Sequence, residues 1–365
     1  MKFIIGKWVV VLPLDHLALK NVMNSTTEIT KGKDYRFFEK WLGPGLLLGD
    51  GERWHKTRKL VTPAFHFSKI EEYAETMDAH ARTLVEILSA KANGEVVDLY
   101  NPLKLCALDI IADTTMGVQL QAQQKSDQPY VQAVEKFNYY ACNTPADWVW
   151  KWFGYQKETD EAVEVLHAFT NNVIKERMKI FKDEQENRES SVKHRPNFLD
   201  LMLHLQDSEK LSKDHLREEV DTIMFAGHDT TSHYLSWFMW SMATHPEIQQ
   251  RVYEEIVDHF GHSDAEFGTS RVKELKQIFE HPLKFDPSRF EGKEYPPLSF
   301  IPFSAGPRNC VGQRFATLEA KIVICHLLYN FKLETDLKLE DNPILFEVVL
   351  RPTRGVPVRL TKREH

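Results

Sequence analysis

The residues best suited to chemistry fall in one ten-residue segment, Phe303-Ser-Ala-Gly-Pro-Arg-Asn-Cys-Val-Gly312. Cys310 is its reactive group. Gly306 and Gly312 allow backbone conformations and close approach that a side chain would block. An apolar-periodic run from about Val311 to Phe331 follows and reads as a helix. Amides at the start of such a helix, and the positive end of its dipole, would favour a thiolate at Cys310, the form that ligates a metal. Arg308 adds a cation able to hold a carboxylate through charge-assisted hydrogen bonds. A lone cysteine in a glycine-containing loop is usually inert, so the weight rests on the joint spacing of Phe303, Gly306, Arg308, Cys310 and Gly312.

Two further segments place polar groups where packing alone has no use for them. Ala226-Gly-His-Asp-Thr-Thr231 sits in the middle of an apolar helical run. Burying Asp229, Thr230 and Thr231 costs several kcal/mol unless they are paired or face a polar cavity. Their hydroxyls can also bond back to the preceding turn and open the helix locally. Trp54-His-Lys-Thr-Arg58 puts Trp54 and Arg58 four residues apart, on one helical face.

Helices must position these groups. The longest candidate starts at Ser212, a plausible N-cap, and runs to His245, where Pro246 ends it and opens the next helix to Phe260. Glu218, Glu219 and Asp221 sit early in it, as the dipole prefers. At 1.5 Å per residue it spans roughly 50 Å, enough to cross a domain. Ser68 with Glu71 reads as a capping box for a helix that Gly94 stops. Amphipathic runs follow at Leu103–Gly117 and Thr159–Phe181, and the charged stretch Lys182–Arg195 reads as an exposed, mobile loop. Phe346–Leu350 and Val356–Leu360, around Arg351-Pro-Thr-Arg-Gly355, read as a hairpin. The expectation is a mainly α protein with small β-sheets, a single domain over 1–365.

Composition narrows the classes. A net charge of −7 gives no basic field for nucleic acid. Cys106, Cys142, Cys310 and Cys325 are far apart in sequence with no CxxC pair, which argues against a disulfide framework and fits a reducing compartment. Zinc ligation by Cys325 and His326 is excluded because adjacent helical residues face different directions. The opening run Trp8–Leu12 is five residues closed by Pro13, against about 20 for a membrane span, so it reads as an edge strand.

The loop matches F-x-x-G-x-R-x-C-x-G at every fixed position, and on that segment the chain resembles the cytochrome P450 superfamily. The resemblance extends to A-G-x-D-T-T at 226–231, W-x-x-x-R at 54–58 and F-x-P-x-R-F at Phe285–Phe290. The wording Glu218-Glu-Val-Asp-Thr-Ile-Met-Phe225 is closest to the family-4 branch. It implies a cytochrome P450-like fold and a haem-thiolate monooxygenase that hydroxylates a lipophilic substrate such as a fatty acid. Cys310 would be the axial iron ligand of a haem b. Trp54, Arg58, Ala226, Gly227, Phe303, Gly306, Arg308 and Gly312 would line the cofactor, with Arg58 and Arg308 on its propionates and Gly227 letting haem and oxygen approach the backbone. Thr230 would hydrogen-bond dioxygen, and Asp229 would relay protons to it. NADPH would act through cytochrome P450 reductase, at the endoplasmic reticulum membrane. Branch members commonly carry Glu at the position of Ala226, where it esterifies the haem; alanine implies non-covalent binding.

Three departures accompany the resemblance. The family's leading segment and membrane anchor have no counterpart before Met1. No Glu is followed three residues later by Arg anywhere in the chain, so the family's E-x-x-R helix is expected to fall in an internal deletion near Val272–Glu280. Its Glu–Arg pair braces the region supporting the cysteine loop, and Arg289 would be its surviving partner. Loss of one member of a buried ionic set costs about 3–5 kcal/mol. A second reading follows, in which the chain is impaired or inactive and binds haem or a partner without turnover.

Overall fold

The computed structural model describes residues 2–5, 8–11, 16–125, 128–143, 152–186, 196–208, 211–261, 298, 300–338 and 341–364. The junction at 272–280 and the segment 285–290 with Arg289 lie outside the described residues. The order begins with strands β1 (Lys2–Ile5) and β2 (Trp8–Val11) and helices α1 (His16–Met23), α2 (Glu39–Leu42), α3 (Gly51–Val61) and α4 (Phe67–Ser89). Strand β3 (Val96–Asp98) leads into α5 (Tyr100–Ile111), α6 (Pro129–Asn143), α7 (Tyr155–Glu186), α8 (Phe198–Asp207), α9 (Lys213–Thr244) and α10 (Pro246–Phe260). Helix α11 (Gln313–Asn330) then precedes β4 (Phe331–Glu334), β5 (Ile344–Leu345), β6 (Arg351–Pro352) and β7 (Pro357–Lys362).

The long helix is the axis of the molecule. Ser212 caps α9, its hydroxyl accepting from the His215 amide. The next helix opens with Pro246 at its first position, where the missing N–H costs nothing. Against α9 pack α5, α7 and α11, and α11 also packs on α4 and α10. Met224, Leu235, Met239 and Trp240 of α9 are buried with Trp41, Leu42 and Phe137. Helix α5 ends in a π-helical turn, Ala112–Met116, closed by Gly117 at φ +65°. Such turns commonly mark places where packing overrides regular helix geometry.

The small sheets match the mainly α expectation but not every pairing. The run expected as an edge strand forms β2, Trp8–Val11, at the edge of a two-stranded antiparallel sheet with β1, Lys2 opposite Val11. The hairpin expected at 346–360 does not form. Arg351–Pro352 pairs with Ile344–Leu345, while β7 joins a sheet of order β3-β7-β4. Alternation identifies strands but not partners, and β7 is claimed by β4, directly after α11. The capping box at Ser68 is likewise absent. His66 occupies the N-cap with no side-chain cap, because the tight turn Thr62–Phe65 runs straight into the helix. The charged stretch begins inside α7, which continues through Glu186; its remainder, 187–195, lies outside the described residues. No helix among the described residues is long and apolar enough to cross a membrane.

The helix behind the cysteine loop is tied to α4 by charge. Asp78 Oδ1 lies 2.7 Å from His326 Nε2 of α11, and Arg82 Nε donates to Asp78 Oδ2 at 2.7 Å. Burial works against the Asp78 charge, but the bonds from His326 and Arg82 outweigh it and hold the carboxyl below its ordinary range. A depressed carboxyl contributes stability above its unfolded pKa and loses it as pH falls through the folded value. Asp78→Asn is therefore expected to cost about 1–3 kcal/mol at neutral pH, with the deficit shrinking below about pH 4. Urea unfolding across pH, followed by circular dichroism, checks both.

Candidate functional site

The cysteine loop is a set of tight turns. Cys310 N donates to Phe303 O at 3.0 Å, and Asn309 N to Gly306 O at 3.1 Å. Gly306, at φ +71°, cannot carry a side chain, because a Cβ there would sit 1.7 Å from the Met23 carbonyl oxygen. Helix α11 starts at Gln313, two residues later than its apolar pattern implies. The cysteine therefore stands before the helix and not in its first turn. Burial pushes the Cys310 thiol up, and the Gly312 amide and the Arg58 guanidinium only partly offset it. The protein alone does not produce the thiolate expected from the helix dipole. A bound metal cation would deprotonate the sulfur outright.

Helix α3 grips this loop. Arg58 Nη1 donates to Asn309 O and Nη2 to Asn309 Oδ1, each at 2.7 Å. Arg308 reaches back in the opposite sense, stacking 4.3 Å over the Trp54 ring. Its Nε donates to Ile29 O at 3.0 Å, Nη1 to Leu46 O at 3.3 Å and Nη2 to Gly49 O. Trp54 Nε1 donates to the same Leu46 carbonyl at 3.2 Å. The three motif residues Trp54, Arg58 and Arg308 thus converge with Cys310. Both arginines, expected on propionates, are bonded to the protein's own loops, Arg58 through two and Arg308 through three of their five N–H groups, which leaves donors for a carboxylate.

On α9, Asp229 and Thr230 turn to opposite environments. Asp229 is fully buried, with Lys104 Nζ of α5 3.6 Å from Oδ1 and Asn138 Nδ2 of α6 donating to Oδ2 at 3.4 Å. The Thr230 hydroxyl donates back to Ala226 O at 2.6 Å. Ala226, Thr230 and Tyr234, one turn apart, are exposed in a helix buried on both sides of them, with Tyr234 45% accessible. Gly227 does not serve this open stripe. A Cβ at Gly227 would lie 2.4 Å from Ile111 Cδ1, so its small size serves the packing of α9 on α5. Thr231 points inward beside Glu319 of α11, a fully buried carboxyl pushed well up by burial and without a hydrogen bond of normal geometry. His228, fully buried, is held neutral, its pKa pushed down by burial to about 4.

These features suit a large, flat, partly apolar group. An exposed thiol stands in a loop of half-exposed residues. The helix after it packs on α9, and α9 keeps an open stripe bearing one hydroxyl. Guanidinium groups stand beside the sulfur for a group with acidic edges. The residues present fit a haem with Cys310 as its axial donor. Sequence reasoning missed Lys104, Asn138 and Glu319. A lysine inside the apolar run Leu103–Ile111 was the available signal for the first, since lysine is almost never fully buried unless paired.

The family model described as Cytochrome P450 matches residues 1–276 and 268–358. Cytochrome P450 4V2 of Pongo abelii is 32% identical over 428 residues, covering 96% of this chain and 81% of that protein. The Rattus norvegicus protein of the same name is 33% identical, with 99% and 82% covered. Probable cytochrome P450 4s3 of Drosophila melanogaster is 34% identical over 419 residues, with 98% and 84% covered. These alignments are longer than the 365-residue chain, so the relatives carry residues with no counterpart here. The chain belongs to the cytochrome P450 family, the haem-thiolate monooxygenases. Within it, the chain falls with the family-4 branch.

The clamp on Asn309 has a measurable consequence. Arg58→Ala is expected to lower stability by about 1.5 kcal/mol, the low end for a charged hydrogen bond, because the guanidinium is half exposed. It should also speed haem release from loaded protein. Thermal unfolding and transfer of haem to an acceptor protein check the two effects. Arg58→Lys, which lacks the fork, should rescue little.

Proposed function

We propose that this chain hydroxylates a lipophilic substrate such as a fatty acid, taking electrons from NADPH through cytochrome P450 reductase at the endoplasmic reticulum membrane. The observation that carries this reading is the clamped loop around Cys310, followed by a helix packed on the one that bears Asp229 and Thr230. The family-4 names of its relatives favour a lipid-like substrate. Cys310 would hold the iron, with Phe303, Gly306 and Gly312 shaping the loop beneath the ring. Arg58 and Arg308 would neutralise its propionates, and Trp54 would position Arg308. Haem b supplies the oxygen-activating chemistry when bound, and a cysteine thiolate donor favours O–O cleavage. The open stripe of Ala226 and Thr230 would face dioxygen and substrate. Thr230 would turn its hydroxyl from Ala226 O to dioxygen, and Asp229 would pass protons toward it. Ala226 leaves the haem non-covalently held.

A second reading is a chain that binds haem or a partner without turnover, with the E-x-x-R helix lost near 272–280. It is supported by the absence of that spacing from the sequence and by two family-model matches that meet at 268–276. One measurement separates the readings. Purified protein, reduced and exposed to carbon monoxide, should give the Soret band typical of thiolate haem, and Cys310→Ala should abolish it. That band together with fatty-acid hydroxylation in the presence of reductase is the expected result. The band without product would favour the second reading, and apoprotein would sink the enzyme reading, leaving of the second only a chain that binds a partner.

A further inference from the structure

We propose that Lys104 is the buried counter-ion that fixes the charge and orientation of Asp229, with Glu135 as its link to solvent. Its importance for turnover rests on the reading of Asp229 above. Lys104 lies on α5, and its side chain is 1% exposed. A lysine is buried that deeply only when its charge is matched. It has two matches: Asp229, 0% exposed and 3.6 Å away, and Glu135 of α6, 35% exposed, whose Oε1 accepts from Nζ at 2.9 Å. The Tyr100 ring lies under the ammonium at 5.2 Å. The acid of the oxygen motif is thus neutralised by another helix and not by water.

Other charges that face this pair are fewer or weaker. On α9 itself, His233 Nδ1 is 3.7 Å from Asp229 Oδ1, and its Nε2 is within 3.0 Å of the Tyr100 hydroxyl. His233 is pushed toward the neutral form by burial, as is His228. From the C-terminal segment, Arg351 stands over Tyr100 at 5.8 Å and 3.6 Å from the buried Glu347. Burial disfavours the Asp229 charge, and the Lys104 ammonium is the largest influence holding it below its ordinary value. Lys104 is in turn held above its own, with Asp229 as the largest opposing influence to burial. Lys104 is a positioning residue: it touches Asp229 and acts on proton supply through it.

Removing Lys104 should invert the behaviour of Asp229. With its counter-ion present, Asp229 contributes stability at neutral pH and loses it as pH falls through the depressed value. Without it, burial raises the Asp229 pKa, and stability is lost as pH rises instead. The test is Lys104→Met in the full chain, compared with Lys104→Met/Asp229→Asn. Infrared spectra of the single variant at neutral pH should show a protonated carboxylic-acid band additional to those of the native chain, where Glu319 and Asp221 already contribute, and absent from the double variant. The single variant should gain stability on acidification, relative to the native chain, and the double variant should recover stability the single one lost. The idea is overturned by a single variant without the additional band, by an additional band that survives Asp229→Asn, or by a double variant that recovers nothing. None of these readouts needs haem, so a failed carbon monoxide spectrum would leave them standing.

Discussion

The backbone of one residue, Leu46, joins the three parts of the site. The Leu46 amide donates to Glu219 Oε2 of α9 at 3.1 Å, and its carbonyl accepts from both Trp54 of α3 and Arg308 of the cysteine loop. Backbone groups buried in a turn must find partners, and here each partner belongs to a different functional segment. The approach is possible because of glycines. Gly43, at φ +55°, has Glu218 where a Cβ would clash, and Gly45 stands within 3.0 Å of Glu219 Oε1 by the same measure. Displacing this turn would unseat Trp54, and with it the ring on which Arg308 rests. The cysteine loop is therefore registered to α9 through the backbone, with a carboxylate at one end and a guanidinium at the other.

The oxygen helix resolves a conflict between burial and chemistry. It is buried over most of its length, yet it carries Asp221, Asp229 and three histidines. Each charge is met by a neighbour rather than by water. Thr170 donates to Asp221 Oδ1 at 2.6 Å and Arg217 to its other oxygen at 2.7 Å, while burial still pushes Asp221 up to about 7. Asp229, supplied with a full ammonium, goes the other way. Two carboxyls two turns apart on one helix are thus driven apart in acidity, burial prevailing at Asp221 and the Lys104 ammonium at Asp229.

What could be read from the sequence followed the range of the interaction. The ends of α9 were legible because Ser212 and Pro246 act locally, and the cysteine loop because its turns need glycine at fixed positions. The neighbours of the individual site residues were less legible. Trp54, Arg58 and Arg308 do gather at Cys310, but Gly227 serves α5, because the same absence of a side chain satisfies either neighbour. Lys104, Asn138 and Asp229 come from segments far apart in sequence, and no local pattern announces their meeting. The Leu46 junction was invisible for a different reason. Peptide N–H and C=O groups are identical at every position, so nothing in the side-chain pattern marks the one that three segments share.

The absence of a Glu-x-x-Arg spacing leaves the support of the cysteine loop to what the described residues contain. Beyond the bonds of Arg308 to Ile29, Leu46 and Gly49, two further braces reach it among the described residues. Arg58 holds Asn309 directly, and Asp78 with His326 and Arg82 holds the far end of α11. Each is worth about 1–3 kcal/mol by the scale of charged hydrogen bonds, so together they approach the 3–5 kcal/mol scale of one broken buried ionic set. They act from one side only, from α3 and α4. That asymmetry matters because Cys310 remains exposed and its thiol is pushed up rather than down. A loop braced on one side keeps its shape through the Arg58 fork. A metal bound at Cys310 would deprotonate the thiol and so couple its own binding to completion of the site.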